Sequence, residues 1–297
     1  MSVWTATCKP PSTEPPDYSK QLGRGVPPVE GAATTLFPKP GKGPADRTWY
    51  FPIDVGVKGF KTTGVFIPQG FGYAQEVDVI LYFHGNKQGD FKTINEYWNG
   101  NLHSIQLRED LNGAGKSALL IAPTLGENPG HGLTGNDDLG NFGKPGTGTA
   151  YLDEVMDWLG KYEPRYAQNC VTPRVRKVIL AGHSGGGNPI HLQMDSMKAK
   201  VCETWCFDVV YGEVSDWIRF AFYNPTKKVT FYHAVQSLDS LAKLIKLKQL
   251  TDTGMMLSGG SRPLDNMEII KGASEHFHCL TDNFRTQVRR SRCLAGR

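Results

Sequence analysis

The chain has 297 residues, of which 39% are hydrophobic and 21% are charged, and its formal net charge is +4. This composition is typical of a soluble globular protein. The charge is too small to predict a nucleic-acid-binding face, which needs concentrated basic residues. No apolar stretch approaches the roughly 18 residues that span a bilayer, so no transmembrane segment is expected.

The N-terminus has no basic segment followed by an apolar one, so we expect no secretory signal. A cytoplasmic protein is the default expectation, and a secreted mature form stays open. Six cysteines are scattered along the chain instead of being paired at metal-ligand spacing. Free buried thiols are the default expectation, although the even number leaves disulfides open in an exported protein.

Residues 1–46 are rich in proline and show almost no hydrophobic periodicity. Such a segment buries too little apolar surface to offset its ordering entropy, so we predict an extended arm or linker. The remainder, residues 47–297, is predicted to form one folded domain, because α/β folds of this length are commonly single domains.

Three strands are predicted in the first part of this domain. Two are short and cover Thr48 to Ile53 and Gly64 to Ile67. The third, Val77 to Phe83, is strongly apolar and ends in His84-Gly85-Asn86. The spacing of large apolar residues then predicts a single helix from Ile94 to Leu111.

A glycine-rich segment follows that helix and imitates a phosphate-binding loop. It reads Gly113-Ala114-Gly115-Lys116-Ser117, but Asp110 stands where the full pattern needs a glycine. The segment also leaves a helix and enters the predicted strand Ala118 to Ala122, whereas a phosphate-binding loop runs from a strand into a helix. We therefore do not predict nucleotide binding.

A loop over Pro123 to Thr149 contains eight glycines and precedes a predicted helix, Ala150 to Leu159. Because it follows a sheet strand, it should lie over the carboxyl ends of the strands, where α/β sheets bind ligands. We expect it to form a rim or lid. Its Asp137 and Asp138 lack the spaced oxygens of a calcium loop, so no metal is expected.

The most informative stretch is Lys177 to Asn188. Its β-branched run, Val178 to Leu180, is typical of a strand buried on both faces. Gly182-His183-Ser184-Gly185-Gly186 follows and matches the pattern Gly-x-Ser-x-Gly, with helical spacing after it. Glycines two residues before and after the serine suit a sharp strand-to-helix turn that has no room for side chains.

Further strands are predicted over Val201 to Phe207, Val229 to Val235 and Met267 to Ile270, with helices between them and at the C-terminus. Strands and helices therefore alternate from residue 77 onward. This order predicts an α/β fold, with a mostly parallel, doubly wound sheet and helices on both faces.

The Gly-x-Ser-x-Gly turn in its strand-turn-helix context resembles the α/β-hydrolase superfamily, in particular its serine esterases and lipases. The resemblance implies an antiparallel pair for the first two strands. It also implies that Ser184 is the nucleophile and that His84-Gly85 leads into the oxyanion-hole loop. The amides of Gly185 and of Asn86 or Lys87 would then hold the oxyanion.

The resemblance places the catalytic histidine after the last strand, where Glu275-His276-Phe277-His278 stands. His276 is favoured, since it follows the strand by a short loop, and His278 is the alternative. Glu275 occupies a position where the family usually has glycine. Asp208 and Asp239 both fit the chain order Ser, Asp, His for the orienting acid, and the choice between them stays open.

The resulting expectation is a serine hydrolase without a cofactor or metal, which cleaves a small-molecule or lipid-like carboxylic ester through an acyl-enzyme. Amide or peptide cleavage on the same residues is the nearest alternative. A hydrolase-like scaffold that binds a ligand or partner without turnover is the second alternative.

Overall fold

The computed structural model describes residues 47–53, 61–85, 91–98, 103–125, 142–209, 214–234, 238–253, 262–271 and 275–296. The strands are β1 (Arg47–Ile53), β2 (Lys61–Ile67), β3 (Glu76–Phe83), β4 (Leu119–Pro123), β5 (Arg174–His183), β6 (Val201–Phe207), β7 (Lys228–His233) and β8 (Met267–Lys271). The α-helices are α1 (Phe91–Trp98), α2 (Leu107–Ala114), α3 (Thr147–Tyr162), α4 (Pro164–Gln168), α5 (Gly187–Met194), α6 (Ser215–Tyr223), α7 (Leu238–Asp252), α8 (His278–Thr281) and α9 (Phe284–Arg290).

The eight strands form one sheet in the order β1-β2-β4-β3-β5-β6-β7-β8. β1 pairs antiparallel with β2, and β2 pairs antiparallel with β4. Every pair from β4 onward along the sheet is parallel. The predicted mostly parallel α/β sheet, with an antiparallel pair at its start, is therefore confirmed.

Two hydrophobic clusters cover the two faces of the sheet. The larger cluster contains apolar side chains of α3, α5, α6 and α7, and the smaller one contains those of α1, α2, α8 and α9. β3 contributes alternately to both, with Val79 and Leu81 in the larger cluster and Ile80 and Tyr82 in the smaller. A strand packed on both faces needs apolar residues throughout, which explains the continuous apolar runs of the central strands.

The single helix predicted from Ile94 to Leu111 is wrong, because the structure has α1 and α2 in its place. His103 and Ser104, between them, have φ of 44° and 61°. A right-handed helix cannot continue through left-handed backbone, so α2 begins only at Leu107. This break allows the His103 ring to stack on Phe277, with ring centroids 4.1 Å apart.

The C-terminal tail returns to the sheet, where a disulfide and hydrogen bonds hold it against the start of β6. Cys202 and Cys293 form a disulfide, with Cα atoms 6.1 Å apart. The buried Glu203 carboxylate accepts the amides of Arg292 and Cys293 at 3.0 and 3.2 Å. Cys206 and Cys279 are buried and form no disulfide, as expected. The expectation of free thiols is wrong for Cys202 and Cys293, because the returning tail brings their sulfurs together, and for Cys170, which is also disulfide-bonded.

None of the helices among these residues is both long and apolar enough to cross a membrane. The predicted arm over residues 1–46 and most of the predicted rim, residues 126–141, lie outside the described ranges. In the described part of the rim, α3 begins at Thr147, three residues before the predicted helix start.

Candidate active site

Ser184 lies on a sharp turn that joins β5 to α5. Its φ is 53°, in the left-handed region, and its side chain is partly exposed. A Cβ on Gly182 would lie 2.8 Å from the Gly186 carbonyl oxygen, and a Cβ on Gly186 would overlap the carbonyl of Phe83. The turn is therefore possible only with glycine at both positions, because the backbones approach too closely for any side chain.

The end of β3 lies directly beside this serine. β3 and β5 are adjacent parallel strands in which Phe83 pairs with Gly182, so both chains leave the sheet at the same edge. A Cβ on Gly85 would lie 2.9 Å from the Cβ of Ser184. Asn86 and Lys87, which the resemblance implies as oxyanion donors, lie outside the described residues.

The buried His84 ring fixes the path of the chain after β3. Its Nδ1 lies 2.6 Å from the Gly85 carbonyl oxygen, and its Nε2 accepts the amide of Leu125 at 2.8 Å. A carbonyl only accepts hydrogen bonds, so Nδ1 carries the proton and Nε2 is the acceptor. This ring therefore joins the chain leaving β3 to the chain leaving β4.

Asp208 follows β6 immediately and is completely buried. Its φ is 51°, and its own amide donates to the carbonyl of Tyr232 at 2.7 Å. Aspartate tolerates left-handed backbone better than most residues. One carboxylate oxygen, Oδ1, accepts the amide of Ala234 at 3.0 Å, which leaves Oδ2 directed at His276.

His276 reaches this carboxylate from the segment between β8 and α8. Its Nδ1 lies 2.6 Å from Oδ2 of Asp208, and its side chain is only 14% exposed. Because the carboxylate accepts, Nδ1 carries the proton of the neutral ring and Nε2 holds a lone pair. The ring of His276 also packs against that of His183, the residue before Ser184, with centroids 4.4 Å apart.

The structure places the other two sequence candidates elsewhere. His278 is 43% exposed on its side chain, and its Nδ1 lies 3.7 Å from the carboxylate of the exposed Glu275. Asp239 is exposed in the first turn of α7, where an acidic side chain suits the helix dipole. The structure thus brings Asp208 and His276 together and brings neither His278 nor Asp239 to this pair.

Two fully enclosed residues lie at the site without a role having been predicted for them from the sequence. Tyr97, on α1, accepts the Gly85 amide at 3.1 Å and lies 3.2 Å from Nδ1 of His183. His183 Nε2 lies 3.2 Å from the backbone carbonyl oxygen of His276. Tyr97 was interpreted only as an apolar position of a helix, and no local pattern marks its hydroxyl as part of a site.

The charge state of His183 follows from its surroundings. Burial, together with repulsion from His276, lowers the pKa of His183 to about 3, although the nearby Asp208 carboxylate opposes the shift. The ring is therefore neutral at ordinary pH. Among the described residues, no group of three His, Cys, Asp or Glu side chains is placed to hold a metal ion.

Compared by sequence, the chain matches no protein-family profile and no curated protein. Compared by structure, it is similar to solved esterases. One is a mutant of the feruloyl esterase module from Clostridium thermocellum in complex with sinapinate, at 13% identity and a TM-score of 0.51, covering 82% of this chain and 87% of that one.

A second similar structure is a ferulic acid esterase, with 11% identity, a TM-score of 0.54, and 84% and 98% of the two chains covered. A third is a thermostable esterase, with 14% identity, a TM-score of 0.52, and 82% of this chain and 61% of that chain covered. At these identities the similarity establishes the fold, in which a doubly wound sheet carries the serine turn at the carboxyl ends of its strands.

Proposed function

We propose that this chain, which has the fold of the α/β-hydrolase superfamily, is a serine hydrolase that cleaves carboxylic esters through an acyl-enzyme. One observation carries the proposal. The hydrogen-bonded pair of His276 and Asp208 lies against the turn that presents Ser184, at the carboxyl edge of the parallel sheet. A nucleophile, a base and an orienting acid are the three groups that acyl transfer requires.

In this proposal Ser184 Oγ attacks the ester carbonyl carbon while Nε2 of His276 takes the hydroxyl proton. Asp208 accepts the Nδ1 hydrogen of His276, which holds the ring in the required tautomer and stabilises the imidazolium that forms. The imidazolium then protonates the leaving alcohol, and the acyl group remains on Ser184. Water, activated by the same imidazole, hydrolyses the acyl-enzyme.

The tetrahedral intermediate needs donors for its oxyanion. By resemblance these are the amide of Gly185, the residue after the nucleophile, and the amide of Asn86 beyond the end of β3. Removal of one such donor from a serine hydrolase costs about 3 kcal/mol of transition-state stabilisation. The close contact between Gly85 and Ser184 supports this assignment, because it brings the segment before Asn86 against the nucleophile.

The test compares Ser184→Ala with Ser196→Ala, an exposed serine whose hydroxyl donates to the carbonyl of Gln193. Hydrolysis of p-nitrophenyl acetate should fall by more than about a thousandfold in Ser184→Ala and stay unchanged in Ser196→Ala. Methyl ferulate is a suitable second substrate for the assay, since two of the similar structures are named as esterases of ferulic acid.

Intact mass after exposure to a fluorophosphonate provides a readout that is independent of substrate choice. One covalent adduct should form on the wild-type protein and on Ser196→Ala, and none on Ser184→Ala. Wild-type protein that neither reacts nor turns over any ester would instead support a binding scaffold. Turnover that survives Ser184→Ala would refute the assignment of the nucleophile.

A further inference from the structure

Tyr97 and His183 lie between the three segments that the proposed reaction needs to hold together. The Tyr97 hydroxyl contacts the amide of Gly85, next to the oxyanion loop, and the His183 ring contacts the backbone of His276. The two side chains are bonded to each other and are 1% and 0% exposed. Such a buried polar pair is stable only if all of its donors and acceptors are satisfied.

The direction of each hydrogen bond follows from its partners. The His276 carbonyl oxygen only accepts, so Nε2 of His183 must donate to it. In a neutral imidazole the other nitrogen, Nδ1, is then an acceptor, and the Tyr97 hydroxyl must donate to it. The Tyr97 oxygen in turn accepts the amide hydrogen of Gly85. The three bonds therefore run in one direction, from Gly85 through Tyr97 and His183 to His276.

The protonation states fit this direction. Burial raises the pKa of Tyr97 above its ordinary value, so the phenol keeps the hydrogen that it donates. Burial likewise keeps His183 neutral. Neutrality matters because the rings of His183 and His276 have centroids 4.4 Å apart. A cationic His183 would oppose the positive charge that His276 acquires when it takes the serine proton.

We infer that Tyr97 and His183 are positioning residues, which form a buried hydrogen-bonded relay that sets Gly85 and the base relative to Ser184. The inference rests on the proposed function. The relay is bonded to the two loops through backbone atoms, the Gly85 amide and the His276 carbonyl oxygen. The effect of the relay is on geometry, and an error of about 1 Å in the placement of catalytic groups costs about a hundredfold in rate.

Tyr97→Phe removes only the hydroxyl at the centre of the relay, and the chain offers a matched control. The Tyr82 hydroxyl is also buried, has no hydrogen-bond partner in the described structure, and belongs to a ring 5.7 Å from that of Tyr97. With p-nitrophenyl acetate, we expect kcat to fall about 10-fold to 100-fold in Tyr97→Phe with KM nearly unchanged. Tyr82→Phe should keep the wild-type kcat.

His183→Leu removes the second member of the relay, and His183→Gln keeps an amide that can still donate to the His276 carbonyl. We expect His183→Gln to recover part of the kcat that His183→Leu loses. The double variant Tyr97→Phe/His183→Leu should lose no more than the worse single variant, because both break the same chain. Losses that multiply, or equal kcat in Tyr97→Phe and Tyr82→Phe, would overturn the inference.

A spectroscopic readout separates this relay from the proposed function. Imidazole ¹⁵N spectra of the wild-type protein should show His183 as the neutral tautomer with hydrogen on Nε2 from pH 5 to 8. Tyr97→Phe removes the donor to Nδ1 of His183, so it should shift the Nδ1 resonance while the hydrogen stays on Nε2, and Tyr82→Phe should shift neither. A failed Ser184→Ala test would refute the hydrolase while leaving this spectrum intact, whereas a protonated His183, or one with hydrogen on Nδ1, would refute the relay itself.

Discussion

Nδ1 of His276 lies 2.6 Å from Oδ2 of Asp208, although 68 residues separate the two in the chain. Asp208 directly follows β6, which lies beside β5, the strand that leads into Ser184. The loop that carries His276 follows β8, two strands farther along the sheet. The pair therefore depends on the loop after β8 crossing the sheet edge toward the serine.

The first prediction concerns the acid. Asp208→Asn should lower kcat by about a thousandfold to ten-thousandfold, because an amide at this position favours the wrong tautomer of His276. Asp239→Asn, on the exposed first turn of α7, should leave kcat unchanged. Steady-state kinetics of the two variants with one ester test this prediction. A large loss of kcat in Asp239→Asn and none in Asp208→Asn would identify Asp239 as the orienting acid.

The second prediction concerns the turn. Gly186→Ala should destabilise the fold by about 1–3 kcal/mol and abolish activity, since its Cβ would overlap the Phe83 carbonyl and displace the serine. At Gly72 an added Cβ finds its nearest atom, the Ser117 hydroxyl, at 3.9 Å. Gly72→Ala should therefore fold and turn over substrate normally. Urea unfolding and kcat test both, and a fully active Gly186→Ala would contradict the turn geometry.

The third prediction concerns pH. The pKa of His183 is lowered to about 3 in the folded protein, whereas an unfolded histidine titrates near pH 6.5. Between these values the unfolded chain binds a proton that the folded protein does not, so the free energy of unfolding decreases as the pH falls below 6.5. This single group should lower the free energy of unfolding at pH 5 by about 2 kcal/mol relative to pH 7.

His183→Gln has no titrating group at this position, so its loss of stability between pH 7 and pH 5 should be smaller than that of the wild type by this amount. Both proteins contain the same carboxylates, so the contribution of the carboxylates cancels when the change in unfolding free energy between pH 7 and pH 5 is compared between them. Urea unfolding at the two pH values measures each change. Identical pH dependence in the two proteins would show that His183 is not buried in its neutral form.

The fourth prediction concerns the disulfide. Cys202 and Cys293 are 91 residues apart, and in the chain-entropy model a bond that closes a loop of that size raises the free energy of unfolding by about 4.6 kcal/mol. Cys202→Ala/Cys293→Ala should lose about this much stability while keeping its kcat at 25 °C. Cys202→Ala alone should lose nearly as much stability, since either change removes the bond. If the losses of Cys202→Ala and Cys293→Ala instead added up to the loss of the double variant, the stabilisation would come from packing of the two side chains.

The sequence predicted the parts of this site that depend on neighbouring residues. Gly182, Ser184 and Gly186 are recognisable because the turn restricts residues within a few positions of one another. The choice between Asp208 and Asp239 depends on how the loop after β8 crosses the sheet, and no local pattern records that path. The break at His103 and Ser104 was missed for a related reason, since hydrophobic spacing continues across it and neither residue is a glycine or proline.

The role of Tyr97 and the disulfide could not be predicted from the sequence either, because both depend on residues distant in the chain. The Tyr97 hydroxyl acquires its partners only when α1 packs on the sheet beside Gly85 and His183. Cys202 meets Cys293 only because the tail after α9 returns to β6. Each contact joins residues that are far apart in the chain, so composition and periodicity carry no trace of it.

The bond between Cys202 and Cys293 also divides the three proposed catalytic residues between two parts of the chain. The acid at 208 and the base at 276 lie inside the ring that it closes, and the nucleophile at 184 lies outside. A single backbone cut within that ring would leave the acid and the base in one covalent molecule. During refolding with the bond intact, residues 208 and 276 would be held close by the disulfide ring, whereas the turn that carries residue 184 lies outside the ring and would have to pack against them without that restraint.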